Sequence, residues 1–152
     1  MVEVNVCNLA GACIDIFDIG SGKLFTNSPS VAYLDSIGDS ENIGTHTEKG
    51  IHGPVGNFYL FNWNNATALC HTYNTNSIAG RINWRLATSN ELKVELYDKL
   101  GNMFAERGWP TDFSYISMTP NGSLYYYVIL NSGKVDSYNP SFTYYASCVS
   151  EP

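Results

Sequence analysis

At 152 residues the chain is long enough for one domain that buries roughly 70% of the surface its unfolded form exposes. Only 14% of residues are charged against 44% hydrophobic, so the surface must be built largely from uncharged hydrogen-bonding groups, among them eleven tyrosines. A net charge of -6 excludes the basic stripe that phosphate backbones and anionic membranes require, so no nucleic-acid partner and no direct membrane insertion is expected.

The opening Met1-Val2-Glu3-Val4 has neither the basic nor the apolar region of a signal peptide, and no stretch approaches the roughly 18 apolar residues of a membrane span. Residues 1–12 read as an N-terminal extension or a junction with a preceding domain, and 13–152 as the folded unit. From Cys13 to Ile19, apolar Ile14, Ile16 and Phe17 alternate with Asp15 and Asp18. Gly20-Ser21-Gly22 then turns into Lys23, Leu24 and Phe25, which predicts an opening hairpin. Residues 38–56 are rich in Gly, His, Thr and acidic groups without periodicity, and read as a long surface loop.

Two helices follow. Asn62 can cap the first, where Trp63, Ala66, Cys70 and Tyr73 recur at spacings of three and four and make one buried face. In the second, Thr88 and Glu91 form a capping box, Leu92, Leu96 and Leu100 an apolar stripe, and Gly101 a stop. Beyond it come strands and turns: Tyr115 to Thr119, a turn at Pro120-Asn121-Gly122, Leu124 to Leu130, a turn at Asn131-Ser132-Gly133, Val135 to Tyr138, and a last strand Tyr144 to Val149. Helices early and an antiparallel meander late imply an α+β domain.

The four cysteines, Cys7, Cys13, Cys70 and Cys148, lack CxxC spacing and read as two disulfides. Three pairings are formally possible. The closeness of Cys7 and Cys13 in sequence favours a short N-terminal loop and leaves Cys70 to join Cys148 across most of the chain.

Signatures of catalysis are weak. Gly22-Lys23 has the tail of a phosphate loop, but Phe17 stands where the first glycine belongs and Leu24 where the magnesium-binding hydroxyl belongs. A dinucleotide fingerprint begun by Gly20 and Gly22 fails at Phe25. His46 and His52, with Glu48, could offer metal ligands, but a loop pair of this kind is more often plain surface polarity, so neither a metal nor a cofactor is expected. Oxidised cysteines leave no thiol nucleophile. The aromatic residues carry more information, because Tyr and Trp give large contact area at low entropy cost. Residues 101–120 form the leading candidate contact loop, with Trp109, Asp112, Phe113 and Tyr115 as contact residues and Tyr138 beside them.

Trp63, Ala66 and Cys70 reproduce the W-x-x-A-x-x-x-C helix of C-type-lectin-like domains, and Asn83-Trp84-Arg85-Leu86-Ala87-Thr88 followed by Glu91-Leu92 resembles the "WRLPT-x-x-EL" signature of their bacterial members. Gly108-Trp109-Pro110 and the closing Tyr145, Cys148 and Val149 are similar to the same group, which comprises the C-terminal domains of intimin- and invasin-type adhesins and of a Legionella collagen-like adhesin. The resemblance, over residues 13–152, implies a C-type-lectin-like fold of two short helices packed on antiparallel sheets, with Cys70 paired to Cys148. It also implies a receptor-binding tip displayed outside the bacterial cell, its outer-membrane anchor lying beyond this segment. The Glu-Pro-Asn, Gln-Pro-Asp and Trp-Asn-Asp triplets that coordinate calcium in sugar-binding members do not occur, Ala87 replaces the usual proline, and Met118 interrupts the common Trp-Ser-Ser-Thr pattern. The expected partner is therefore a host cell-surface or serum protein bound without calcium, with a calcium-independent glycan site as the alternative.

Overall fold

In the computed structural model, residues 7–152 are described. The opening hairpin forms from β1 (Ile16–Asp18) and β2 (Leu24–Thr26), paired antiparallel with Phe17 opposite Phe25. Asp18 sets the turn by accepting the backbone N–H groups of Gly20 and Gly22 at 2.7 and 3.0 Å, and both glycines take the positive φ that such a turn requires. A short helix, α1 (Val31–Ser36), follows. Ser30 caps it by accepting the Tyr33 N–H, and Tyr33 and Leu34 are its buried residues.

Residues 38–56 correct the expectation of a long loop. They contain β3 (Gly44–Glu48), which pairs antiparallel with β4 (Gly56–Leu60). The positions of β3 that turn inward are Gly44, His46 and Glu48, so the strand carries no apolar alternation to announce it.

Helix α2 (Trp63–Thr75) begins where expected, with the Asn62 side chain accepting the Asn65 N–H, and buries Ala66, Leu69, Cys70 and Tyr73. The two-residue β5 (Arg85–Leu86) leads into α3, which opens in wide π-type turns (Glu91–Tyr97) and closes as an α turn (Asp98–Leu100). The capping box forms reciprocally: Glu91 N–H donates to Thr88 Oγ1 at 3.1 Å, and Thr88 N–H to Glu91 Oε1 at 2.9 Å. Gly101, at φ 88°, ends the helix. A further short helix, α4 (Met103–Arg107), is capped by Asn102 and stopped by Gly108 in the left-handed region.

The meander then forms as β6 (Tyr115–Asn121), β7 (Leu124–Val128) and β8 (Val135–Tyr138). A register shift between Ile116 and Pro120 accommodates the proline inside β6. The last strand is shorter than expected, β9 (Cys148–Ser150), with Tyr144 and Tyr145 contributing isolated bridges to Phe61 and Tyr115.

β9 lies between β2 and β5 in a sheet of order β1-β2-β9-β5. The segment leading into it divides the interior. Tyr145 and Val149 enter a core with Phe25, Phe58, Leu92, Leu96, Trp109 and Tyr115, whereas Tyr144, Ala146 and Cys148 enter a second with Leu69, Cys70, Tyr73, Trp84 and Ile116. The alternation is the two-residue period of extended chain, here apolar or half-apolar on both faces because both are covered. The Cys70–Cys148 bridge forms inside the second core, closing a loop of 78 residues, and Cys7 pairs with Cys13. Leu9 is 4% exposed in the first core, so packing begins N-terminal to the boundary expected at Cys13.

Around Glu91, electrostatics reinforce this frame. Arg85 grips the carboxylate with two bonds at 2.8 and 2.7 Å, and Lys23 adds a third at 2.8 Å. Burial opposes the charged carboxylate, but the Arg85, Lys23 and Thr88 N–H bonds outweigh it and hold Glu91 at a pKa of about 2. One side chain thereby ties the first hairpin, β5 and the start of α3 together.

Candidate functional site

The five residues expected to make contacts fall into three environments. Trp109 and Tyr115 are fully buried, which corrects the expectation that they form a contact loop. The Trp109 indole N–H donates to Asp15 Oδ2 at 2.9 Å, a carboxylate that Arg107 also holds with bonds of 2.6 and 2.7 Å. Tyr115 donates its hydroxyl to the Pro110 carbonyl at 2.7 Å. Residues 101–120 thus spend their largest aromatics on the core. Asp112 is exposed and Phe113 half-buried; both face His46, whose Nε2 lies 2.8 Å from Asp112 Oδ2 and whose ring meets Phe113 edge-on at 4.8 Å. Tyr138, 49% exposed, belongs to a separate group on the three-stranded sheet.

That group is an aromatic ladder. Tyr125 of β7 stands directly opposite Tyr138 of β8, so the two share a face. Trp63, at the first turn of α2, stacks on Tyr125 with centroids 4.4 Å apart and planes 19° from parallel, while Phe142, 46% exposed, packs on Tyr138 at 4.3 Å. The Trp63 indole N–H donates to the Ser117 carbonyl, which fixes the ring over the sheet. Beside the stack runs a groove of about 350 Å³ lined by Asn62, Trp63, Asn64, Tyr125, Pro140 and Ser141. Apolar faces with amide and hydroxyl groups at the rim suit recognition of another molecule's surface. By its spacing Trp63 belongs to the buried face of α2, yet its ring is only half-buried and stacks on Tyr125. The run Tyr125-Tyr126-Tyr127 signalled a strand with aromatics on both sides, but not which ring would meet the helix.

The histidine pair expected near Glu48 is only half assembled. His46, Glu48 and Asp112 each bring a ligand atom within 4.8 Å of the other two, a set of the kind that holds a cation. His52 instead turns its backbone carbonyl inward to accept the Thr111 N–H and hydroxyl, both at 2.6 Å. Asp112 replaces it, supplied from a loop 64 residues downstream of Glu48, which linear spacing could not reveal. Among the described residues no helix is long and apolar enough to cross a membrane.

Mixed helices and antiparallel sheets, with α2 clamped by a disulfide to the central final strand, define a C-type-lectin-like fold. The structure is similar to that of the Yersinia pseudotuberculosis adhesin InvE, with a TM-score of 0.62 and 24% identity over 86% of this chain. The match takes in 32% of that protein, so the chain spans about a third of its length. No curated protein matches the chain. The model of the Lcl C-terminal domain matches residues 40–150, and the chain belongs to that family.

Proposed function

We propose that this domain is the receptor-binding tip of a bacterial surface adhesin, and that it docks on a host protein without needing calcium. The observation that carries the reading is the aromatic ladder in which half-buried Trp63 and Tyr125 stack beside exposed Tyr138 and Phe142, in a domain of the Lcl C-terminal family with an invasin-type fold. Rigid aromatics on regular structure lose little freedom on binding, and such residues dominate the energetics of protein interfaces. Asp112 and Phe113 form a second, smaller contact surface. Display outside the cell follows from the same role.

The test is binding of the labelled domain to cultured host cells, in calcium-free and calcium-supplemented buffer, before and after mild protease treatment of the cells. Binding is expected to be indifferent to calcium, lost on protease treatment, and weakened at least about tenfold by Tyr138→Ser with Phe142→Ser, equivalent to about 1.4 kcal/mol. Binding that survives protease, or is undiminished in the double variant, overturns the reading.

One observation favours a second reading, a calcium-independent glycan site. Asn62, Asn64 and Ser141 stand around the groove beside the Trp63–Tyr125 stack, and stacked rings with flanking amides suit a sugar face. Reproducible glycan-array hits competed by free sugar and abolished by Trp63→Ala would select it over the first.

A further inference from the structure

We propose that His46, Glu48 and Asp112 form a binding site for a divalent transition-metal cation of the zinc class, joining β3 to the loop that carries Phe113. Two independent observations support it.

The first is the donor set. His46 and Glu48 are two apart on β3 and so share its inward face, and Asp112 closes over them from the loop before β6. His46 Nε2 and Asp112 Oδ2 are 2.8 Å apart, so the two donor atoms already lie side by side where one ion can reach both. Both side chains are about 30% exposed, at 30% and 31%, so an ion reaches them from solvent. One imidazole with two carboxylates favours zinc, manganese or cobalt over calcium, which takes oxygen ligands.

The second is the state of Glu48. It is 0% exposed, and no ion pair reaches it among the described residues. Its Oε2 accepts the Tyr145 hydroxyl at 2.6 Å and the Asp112 N–H at 3.0 Å, while Oε1 is buried with no partner among the described residues. Gly53 backs the carboxylate: a Cβ there would fall 2.6 Å from Oε1. A buried carboxylate beside a second one, without a counter-charge and with an idle oxygen, is costly unless a cation completes the set. A divalent ion supplies that charge, leaving its remaining positions to water.

The experiment uses tag-free, metal-depleted domain titrated with Zn²⁺ by calorimetry and with Co²⁺ by visible absorption. The expected result is one ion per chain, with affinity reduced at least tenfold in His46→Ala and in Asp112→Asn and unchanged in His52→Ala and His71→Ala. The first two substitutions lie at solvent-accessible positions, and circular dichroism verifies that each variant is folded. Glu48→Gln, which keeps the shape of the side chain, is expected to weaken binding while the Tyr145 contact persists. Absence of saturable one-to-one binding overturns the proposal, as does undiminished binding in both His46→Ala and Asp112→Asn, or selection of Ca²⁺ over Zn²⁺.

Discussion

Replacing both members of the long disulfide, Cys70→Ala with Cys148→Ala, tests how the two halves of the fold are held together. The bridge joins positions 78 apart in sequence, and in the chain-entropy model a loop of that length restricts the unfolded chain by about 4.5 kcal/mol, against about 2 kcal/mol for the Cys7–Cys13 loop. Both half-cystines are within 2% of full burial in the second core, so their loss also removes sulfur packed among Leu69, Tyr73 and Trp84. Against a typical domain stability of about 5–15 kcal/mol, this is a third or more of the total. Urea unfolding of the parent, the long-bridge variant and a Cys7→Ala, Cys13→Ala variant measures the difference. The long-bridge variant should lose about 4 to 5 kcal/mol, its melting temperature falling by about 9 to 18 °C, and its m-value should rise because an uncrosslinked denatured chain exposes more surface. A loss below about 1.5 kcal/mol, or equal losses from the two bridges, would refute the reasoning.

Glu91, held at about 2 against an ordinary 4.5, adds stability that is fully present above the unfolded pKa and is lost as pH falls from about 4.5 through 2; the size is about 3 kcal/mol, and Glu91→Gln should flatten the acid limb of urea midpoints measured against pH. Gly133→Ala should cost about 2 to 3 kcal/mol by thermal melting, because Gly133 has φ 78° and the added Cβ runs into the Tyr97 ring. Trp109→Phe should destabilise by about 1 to 3 kcal/mol, since it leaves the Asp15 carboxylate without its indole donor, yet leave binding to host cells unchanged because Trp109 has no exposed surface. A loss of cell binding in a folded Trp109→Phe protein would show that the loop near it makes contacts after all.

Legibility followed how strongly each segment obeys a single period. α2 was readable from spacing and its Asn62 cap, and α3 from the Thr88–Glu91 box, because local hydrogen bonds and one buried stripe suffice to specify them. β3 was not, since its inward positions are a glycine, a histidine and a buried glutamate, a pattern that mimics a polar loop. α1 and α4, six and five residues long, are too short for helical periodicity to register. The candidate site divided along the same line. Tyr138 was placed on a strand with one face open to solvent, but a tryptophan between glycine and proline looks the same in sequence whether its indole faces water or, like Trp109, a carboxylate delivered from 94 residues away. Trp63 shows the converse, a helical position whose ring overhangs the end of the buried face and becomes half of a stack.

The central place of β9 also governs when this domain can fold. Flanked on both sides by strands made much earlier in the chain, it is the element that completes both interiors, and it leaves the ribosome after all the strands it joins. Until Ser150 emerges, β2 and β5 have no common neighbour and the Cys70 thiol waits for a partner. Completion of the fold is thereby postponed until this strand has been made, and closure of the long loop is the event that seals the domain.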